Sequence, residues 1–316
     1  MPDGKRWAAT INCLSTLLLF LTSVASAQLA NPEQWAAPEQ QSHALVGRIW
    51  SHSAQEFISV ETLGTKLSQG SYVLLGEKHD NPDHHILQRT VLEDLIGGEV
   101  AEQVTFEMLD SLVQERLLKL YLQAPMNSQE LKAYLMWDAD GWDWSFYGPL
   151  LESAYSAGLR MSAGNLSRDE VSSIYSDAAT DSPVLDASAL AVLRRDIDAS
   201  HCGMLPQSQF PAMVRVQQAR DAAMAAAMDT PKAGGTNILI AGNYHVRRDV
   251  GVPRYLFLGA PNLSTSEVIA LSFSEVQPGQ TDPSDYQEVT GRRHAYDFIW
   301  FTPSVEAQDY CASIGQ

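Results

Sequence analysis

Five side chains suited to acid–base or metal chemistry stand where apolar segments stop: Glu77, His79, His84, Glu107 and His245. Glu77 and His79 follow the run Val73-Leu74-Leu75-Gly76, Glu107 ends Val104-Thr105-Phe106, and His245 follows Ile238-Leu239-Ile240-Ala241 after Gly242-Asn243-Tyr244. Imidazole and carboxylate suit zinc, iron or manganese, and two or three His with a carboxylate leave a position open for water. Glu107 is then a further ligand or a general base. Without a metal, the same residues read as a hydrogen-bonded network capping buried strand ends.

A second group is aromatic: Trp137, Trp142, Trp144, Phe146 and Tyr147 lie within eleven residues. Such a segment can wall a flat ligand, with the Tyr147 phenolate offered to a ferric iron; Tyr and His are both axial haem ligands. The tryptophans read equally as packing for a helical hairpin. Arg220 sits with Asp221 on an Ala-rich helix, where it could hold a carboxylate such as a propionate, while Asp221 reads as half of an ion pair. His201, Cys202 and His294 read as local structural residues. Parts needed for other chemistries are missing: there is no Gly-x-Ser-x-Gly elbow, Walker loop or Gly-x-Gly-x-x-Gly after a strand.

The elements that must position these residues alternate. Strands are expected at Tyr72–Gly76, Gln103–Met108, Leu159–Ala163, Asn237–Ala241, Val268–Phe273 and Phe298–Phe301, with short strands between Ile49 and Val60 around a Ser/Gln turn. A helix is expected over Pro82–Ile96, with Asn81 as N-cap, Pro82 at the first position and Leu87, Val91 and Leu95 on the buried face. His84 shares that face and should point inward, near Glu77 and His79. Residues 111–157 read as helical, interrupted by the aromatic segment, and 167–229 as helical with a break near His201 to Pro211. This alternation implies an α/β fold: a largely parallel central sheet flanked by helices, with a helical insertion. The strand ends bearing Glu77/His79, Glu107, Asn165 and His245 then converge on one rim.

The N-terminus carries Lys5 and Arg6, an apolar run from about Ile11 to Leu21, and Ala25-Ser26-Ala27, the form of a signal peptide cleaved after Ala27. Export to the periplasm is expected. Cys13 precedes most of the apolar run, so a lipoprotein anchor is not. Removal of 27 of the 316 residues leaves 289, read as a leader segment (28–44), one domain (45–303) and a C-terminal tail (304–316). The formal charge of −17 becomes −18 when Asp3, Lys5 and Arg6, a net +1, are lost, and that balance argues against nucleic acid. No later run reaches the ~20 apolar residues a membrane span needs. Cys202 and Cys311 remain after cleavage, open to either a disulfide or two free thiols in an oxidising compartment.

Six ordered motifs carry a resemblance across residues of about 45 to 303. They are Leu75-Gly76-Glu77-Lys78-His79-Asp80-Asn81-Pro82-Asp83-His84-His85; Phe106-Glu107-Met108; Trp144-Ser145-Phe146-Tyr147-Gly148-Pro149-Leu150; Ala163-Gly164-Asn165; Arg220-Asp221 before Met224-Ala225; and Ala241-Gly242-Asn243-Tyr244-His245-Val246 followed by Gly251-Val252-Pro253. In these the chain resembles the ChaN-like haem-binding uptake proteins of the wider Tiki/erythromycin-esterase superfamily. The resemblance implies haem as cofactor, a role in iron acquisition alongside haem-uptake machinery, and pairing of subunits around the haem. It also implies an iron-ligating tyrosine, assigned to Tyr147, with His79, His84, Arg220 and His245 as further haem-binding residues. Distant superfamily members that look like metal-dependent proteases or esterases use motifs mapping to Glu77, His79 and His245. A metal-dependent hydrolase binding a divalent ion is therefore the alternative.

Overall fold

The computed structural model describes residues 29–177 and 184–306, with Met1 and Cys311; the rest of the expected signal segment, its cleavage site and most of the tail lie outside the described residues. The strands are β1 (Ile49–Ser51), β2 (Glu56–Ile58), β3 (Tyr72–Glu77), β4 (Ala101–Asp110), β5 (Arg160–Asn165), β6 (Thr236–Gly242), β7 (Val268–Glu275), β8 (Val289–Thr290), β9 (Arg293–His294) and β10 (Phe298–Thr302). Among the described residues, eight form one sheet in the order β2-β1-β10-β7-β3-β6-β4-β5, and β8 and β9 form a separate ribbon. The stretch from β10 to β5 is parallel throughout, and the β1–β2 hairpin pairs antiparallel on its edge.

The helices are α1 (Val60–Leu67), α2 (Pro82–Gly97), α3 (Gln114–Leu118), α4 (Ser128–Tyr134), α5 (Trp144–Ser156), α6 (Arg168–Ser176), α7 (Ala187–Ser200), α8 (Phe210–Ala227), the single turn α9 (Asn243–Val246) and α10 (Val252–Gly259). The side chains of β3 alternate between two cores, as the period of two requires. Val73 and Leu75 pack under α2 and α5, with Leu87, Val91, Leu150 and Leu151. Tyr72 and Leu74 pack on the opposite face under α8 and α10, with Met224, Val252 and Leu256. The chain thus leaves β3 toward one face and β6 toward the other, and these two strands are neighbours. Their carboxyl ends flank a topological switch point, where open α/β sheets hold their ligands.

The α/β architecture and its helical insertion follow the sequence expectation, with informative differences. Asn81 does cap α2, accepting from the Asp83 N–H, with Pro82 in the first turn. The aromatic segment does not wholly interrupt the helices, because Trp144 to Tyr147 form the first turn of α5, capped by the Asp143 carboxylate on Ser145 N–H. The described part of the leader is docked to the domain: Asp83 accepts from the Ala36 and Ala37 N–H groups at 2.8 and 2.9 Å, and Trp300 Nε1 donates to Asn31 at 3.0 Å. In the insertion, α7 packs Leu193 and Ile197 against Phe210 and Val214 of α8 and Val250. Cys202 and Cys311 form a disulfide. No described helix is long and apolar enough to cross a membrane.

Candidate functional site

Glu77, the last residue of β3, is buried and serves as the hub of the rim. Its Oε1 accepts the Tyr147 hydroxyl at 2.6 Å and lies 2.8 Å from His79 Nδ1, while His85 Nδ1 stands 3.1 Å from Oε2. His85 Nε2 donates to the His79 carbonyl at 3.0 Å, and its ring stacks on Phe146 at 4.6 Å. Burial alone would raise the Glu77 carboxyl, but the two histidines hold it well below the usual carboxylate range. Burial likewise opposes charge on His79, and the bond to Glu77 with the Glu107 charge outweighs it, lifting its pKa to about 9. The Tyr147 phenol is driven far above its ordinary value by burial and the Glu77 charge, so it stays a neutral donor. Within this cluster His79 is the group that meets solvent, its side chain 44% exposed, with the Trp142 ring 5.0 Å away.

The second cluster lies across the β6 end. His245, on α9, is pinned between two carboxylates, with Nδ1 2.6 Å from Asp221 of α8 and Nε2 3.4 Å from Glu107 of β4. Burial disfavours a charge here, yet Glu107 and Asp221 hold the imidazolium and lift its pKa to about 10. Glu107, which also accepts the Gly242 N–H at 2.7 Å, is held down to about 2 against its burial, chiefly by His245. Burial pushes Asp221 up to about 6 despite the same imidazolium. The glycines of this loop are steric necessities: a Cβ on Gly242 would lie 2.9 Å from His79 Nε2, and one on Gly76 would collide with Asn243 and Val246. Asn243 ties the β6 end to β7, donating to Phe273 O at 2.9 Å and accepting from Ser272 at 2.7 Å.

The fold brings Glu77, His79, Glu107, His245 and Tyr147 to the rim, but His84 turns elsewhere. Its Nδ1 accepts the Lys78 N–H at 2.8 Å and its Nε2 meets Thr302 Oγ1 at 2.9 Å, so both nitrogens are used and burial holds its pKa down to about 3. That removes His84 from the expected metal and haem sets. The remaining Glu and His side chains fall into two pairings, and among the described residues no three His, Cys, Asp or Glu side chains converge as a metal site. Tyr147 is 1% exposed, with its hydroxyl committed to Glu77, so it offers no face to an incoming ligand. Asn165 braces the Glu107 carbonyl at 3.1 Å. Arg220 is half-buried near Asp221 and makes no ion pair among the described residues.

Three contributors escaped the sequence reading. His85 belongs to a second stripe with Gln88 and Leu92, because α2 is buried against α5 as well as the sheet; the His84-His85 doublet was the available signal. Asp221 is the partner of His245 rather than of Arg220. Tyr244 is 52% exposed beside His245, in the loop motif already noted. A cavity of about 630 Å³ lies away from these groups, between β5, α3 and α8, with Asn165 in its lining.

A family model described as haem-binding uptake, Tiki superfamily, ChaN matches residues 63–256. The structure is similar to that of ChaN of Campylobacter jejuni, solved for cofacial haem binding, with TM-score 0.63 and 24% identity over 80% of this chain and 95% of that one. It is also similar to an erythromycin esterase mutant, EreC, in its open conformation (TM-score 0.46, 13% identity, 79% of this chain and 94% of that). A third likeness is to the type III effector HopBA1 (TM-score 0.40, 14% identity, 77% and 93%). No curated protein matches the sequence.

Proposed function

Because the chain belongs to the ChaN family of haem-binding uptake proteins in the Tiki superfamily, we propose that it is an exported protein that binds ferric haem on the carboxyl-end rim and serves in haem or iron uptake. The observation that carries the reading is the exposure of Tyr244. A phenol that is 52% exposed at the switch point can reach an iron, whereas Tyr147 cannot without breaking its bond to a buried carboxylate. We therefore assign the iron-ligating role to Tyr244. Haem, when bound, supplies a ferric iron that takes Tyr or His as axial ligand. The chain's own groups fit such a guest: His79 presents a half-exposed imidazole held by Glu77, and Trp142 offers an aromatic surface beside it. Arg220, which forms no ion pair among the described residues, suits a propionate. Tyr244 and His79, both open to solvent at the ends of β6 and β3, are the residues that would meet the haem, and pairing with a second copy around it is part of the same proposal. The disulfide Cys202–Cys311 supports passage through an oxidising compartment such as the periplasm.

The test is a haem titration of the mature protein. We expect a Soret shift with a phenolate charge-transfer band that is lost in Tyr244→Phe and kept in Tyr147→Phe. Absence of any Soret shift in the unaltered protein overturns the haem reading, and loss of the band in Tyr147→Phe alone restores the ligand to Tyr147. A hydrolase is the second reading, favoured by the Asp221–His245–Glu107 arrangement, which resembles an oriented acid–base group. It predicts ester or peptide turnover, with or without zinc or manganese, that falls ~10²–10⁴-fold in Glu77→Gln and in His245→Ala.

A further inference from the structure

We propose that His52 and His294 form an acid-sensitive latch that fastens the β8–β9 ribbon to the β1–β2 turn and, through the ribbon, steadies the loop behind His245. The two imidazole rings lie 3.5 Å apart, tilted by 51°. His52 is buried, and neither of its ring nitrogens has a hydrogen-bond partner among the described residues. Two unpartnered polar atoms in a buried ring are a standing cost, tolerable only while the ring is neutral and covered. His294 provides that cover.

The ribbon needs such fasteners because it consists of two residue pairs, Val289 with His294 and Thr290 with Arg293, too few to hold by their own ladder. Its other attachments are polar and ionic. Glu288 accepts from Arg247 Nη1 at 2.6 Å, Thr290 donates to Asp249 at 2.5 Å, and Arg293 donates to Asp186 at 2.8 Å. Arg247 and Asp249 follow His245 in the chain by two and four residues, so the ribbon is strapped directly to the loop that carries the rim imidazole.

The groups facing the pair leave a proton on His52 uncompensated. From β9 comes His294 itself. From the segment entering β10 comes Asp297, whose carboxylate already accepts from Arg248 Nη1 at 2.6 Å and from the Ala270 N–H at 2.8 Å. From the turn comes the neutral Gln55, which donates to the His52 backbone carbonyl at 2.7 Å. Burial first, and then His294, hold the His52 pKa down to about 4, against 6.5 for a free imidazole. The closed latch therefore binds fewer protons than the open one. It is fully held above about pH 6.5 and is released progressively as pH falls toward 4. One such proton raises the opening constant by up to about 20-fold between pH 7 and pH 5.

Hydrogen exchange on the mature, disulfide-intact protein without haem tests this independently of the haem reading. After correction for intrinsic pH dependence, amides of residues 286–296 should exchange up to about 20-fold faster at pH 5 than at pH 7, while those of β3 and β6 do not change. In His52→Phe the ribbon's pH dependence should vanish. Should that variant fail to fold, the ring resonance of His52 in the unaltered protein decides instead: it should titrate well below 6. Corrected ribbon exchange that is independent of pH, or His52 titrating near 6.5, overturns the proposal.

Discussion

Replacing Tyr147 by Phe separates a structural phenol from a ligating one. The Tyr147 hydroxyl donates to Glu77 Oε1 at 2.6 Å, and Glu77 is buried. A hydrogen bond to a charged group contributes about 1.5–3 kcal/mol, more than a neutral pair, because the carboxylate cannot recover the contact from water. The Phe ring fills the same volume between Trp137, Trp142 and His85, so no packing loss adds to the cost. We expect destabilisation of about 2 kcal/mol, a fall in Tm of up to roughly 4–8 °C at the 2–4 °C per kcal/mol usual for domains of about 150–250 residues. His79 still bonds Glu77, so the site should stay assembled. The assay pairs urea or thermal unfolding of the apo protein with a haem spectrum of the same preparation. Unchanged stability together with a lost phenolate band would refute this reasoning and make Tyr147 a ligand.

The rim should also show itself in the pH dependence of stability. Glu107, held down to about 2, contributes stability that is present above its ordinary value of 4.5 and lost as pH falls toward 2. His245, lifted to about 10, contributes stability that is present below 6.5 and lost as pH rises through 10. Glu107→Gln should therefore flatten the alkaline arm of urea-denaturation midpoints measured from pH 7 to 10, and an arm left unaltered in that variant would contradict the assignment. Reducing Cys202–Cys311, which spans 109 residues, should cost up to about 4–5 kcal/mol in denaturation run with and without reductant. A loss below about 1 kcal/mol would mean the tail adds little restraint to the unfolded chain.

Strand and helix positions are legible in the sequence because their signals are local. Apolar runs of about five or six residues, Asn81-Pro82 at a helix start and glycines at strand ends depend on neighbours a few positions away, and these local signals suffice to put Glu77, Glu107 and His245 at or just beyond carboxyl ends. The alternation of elements implies a parallel sheet, and parallel strands bring those ends to one side. What the sequence alone could not determine was direction and partnership across long separations. His84 and His85 are consecutive on a helix buried on two sides, so about 100° of rotation sends one to Thr302 and the other to Glu77. Tyr147 and Tyr244 are equally plausible phenols as letters. Only the packing of α5 under the sheet buries the first against Glu77, and only the α9 turn leaves the second in solvent. Asp221 meets His245 because α8 crosses the face opposite α2, a choice made by the handedness of the crossovers and the closing of two cores, which no local pattern encodes.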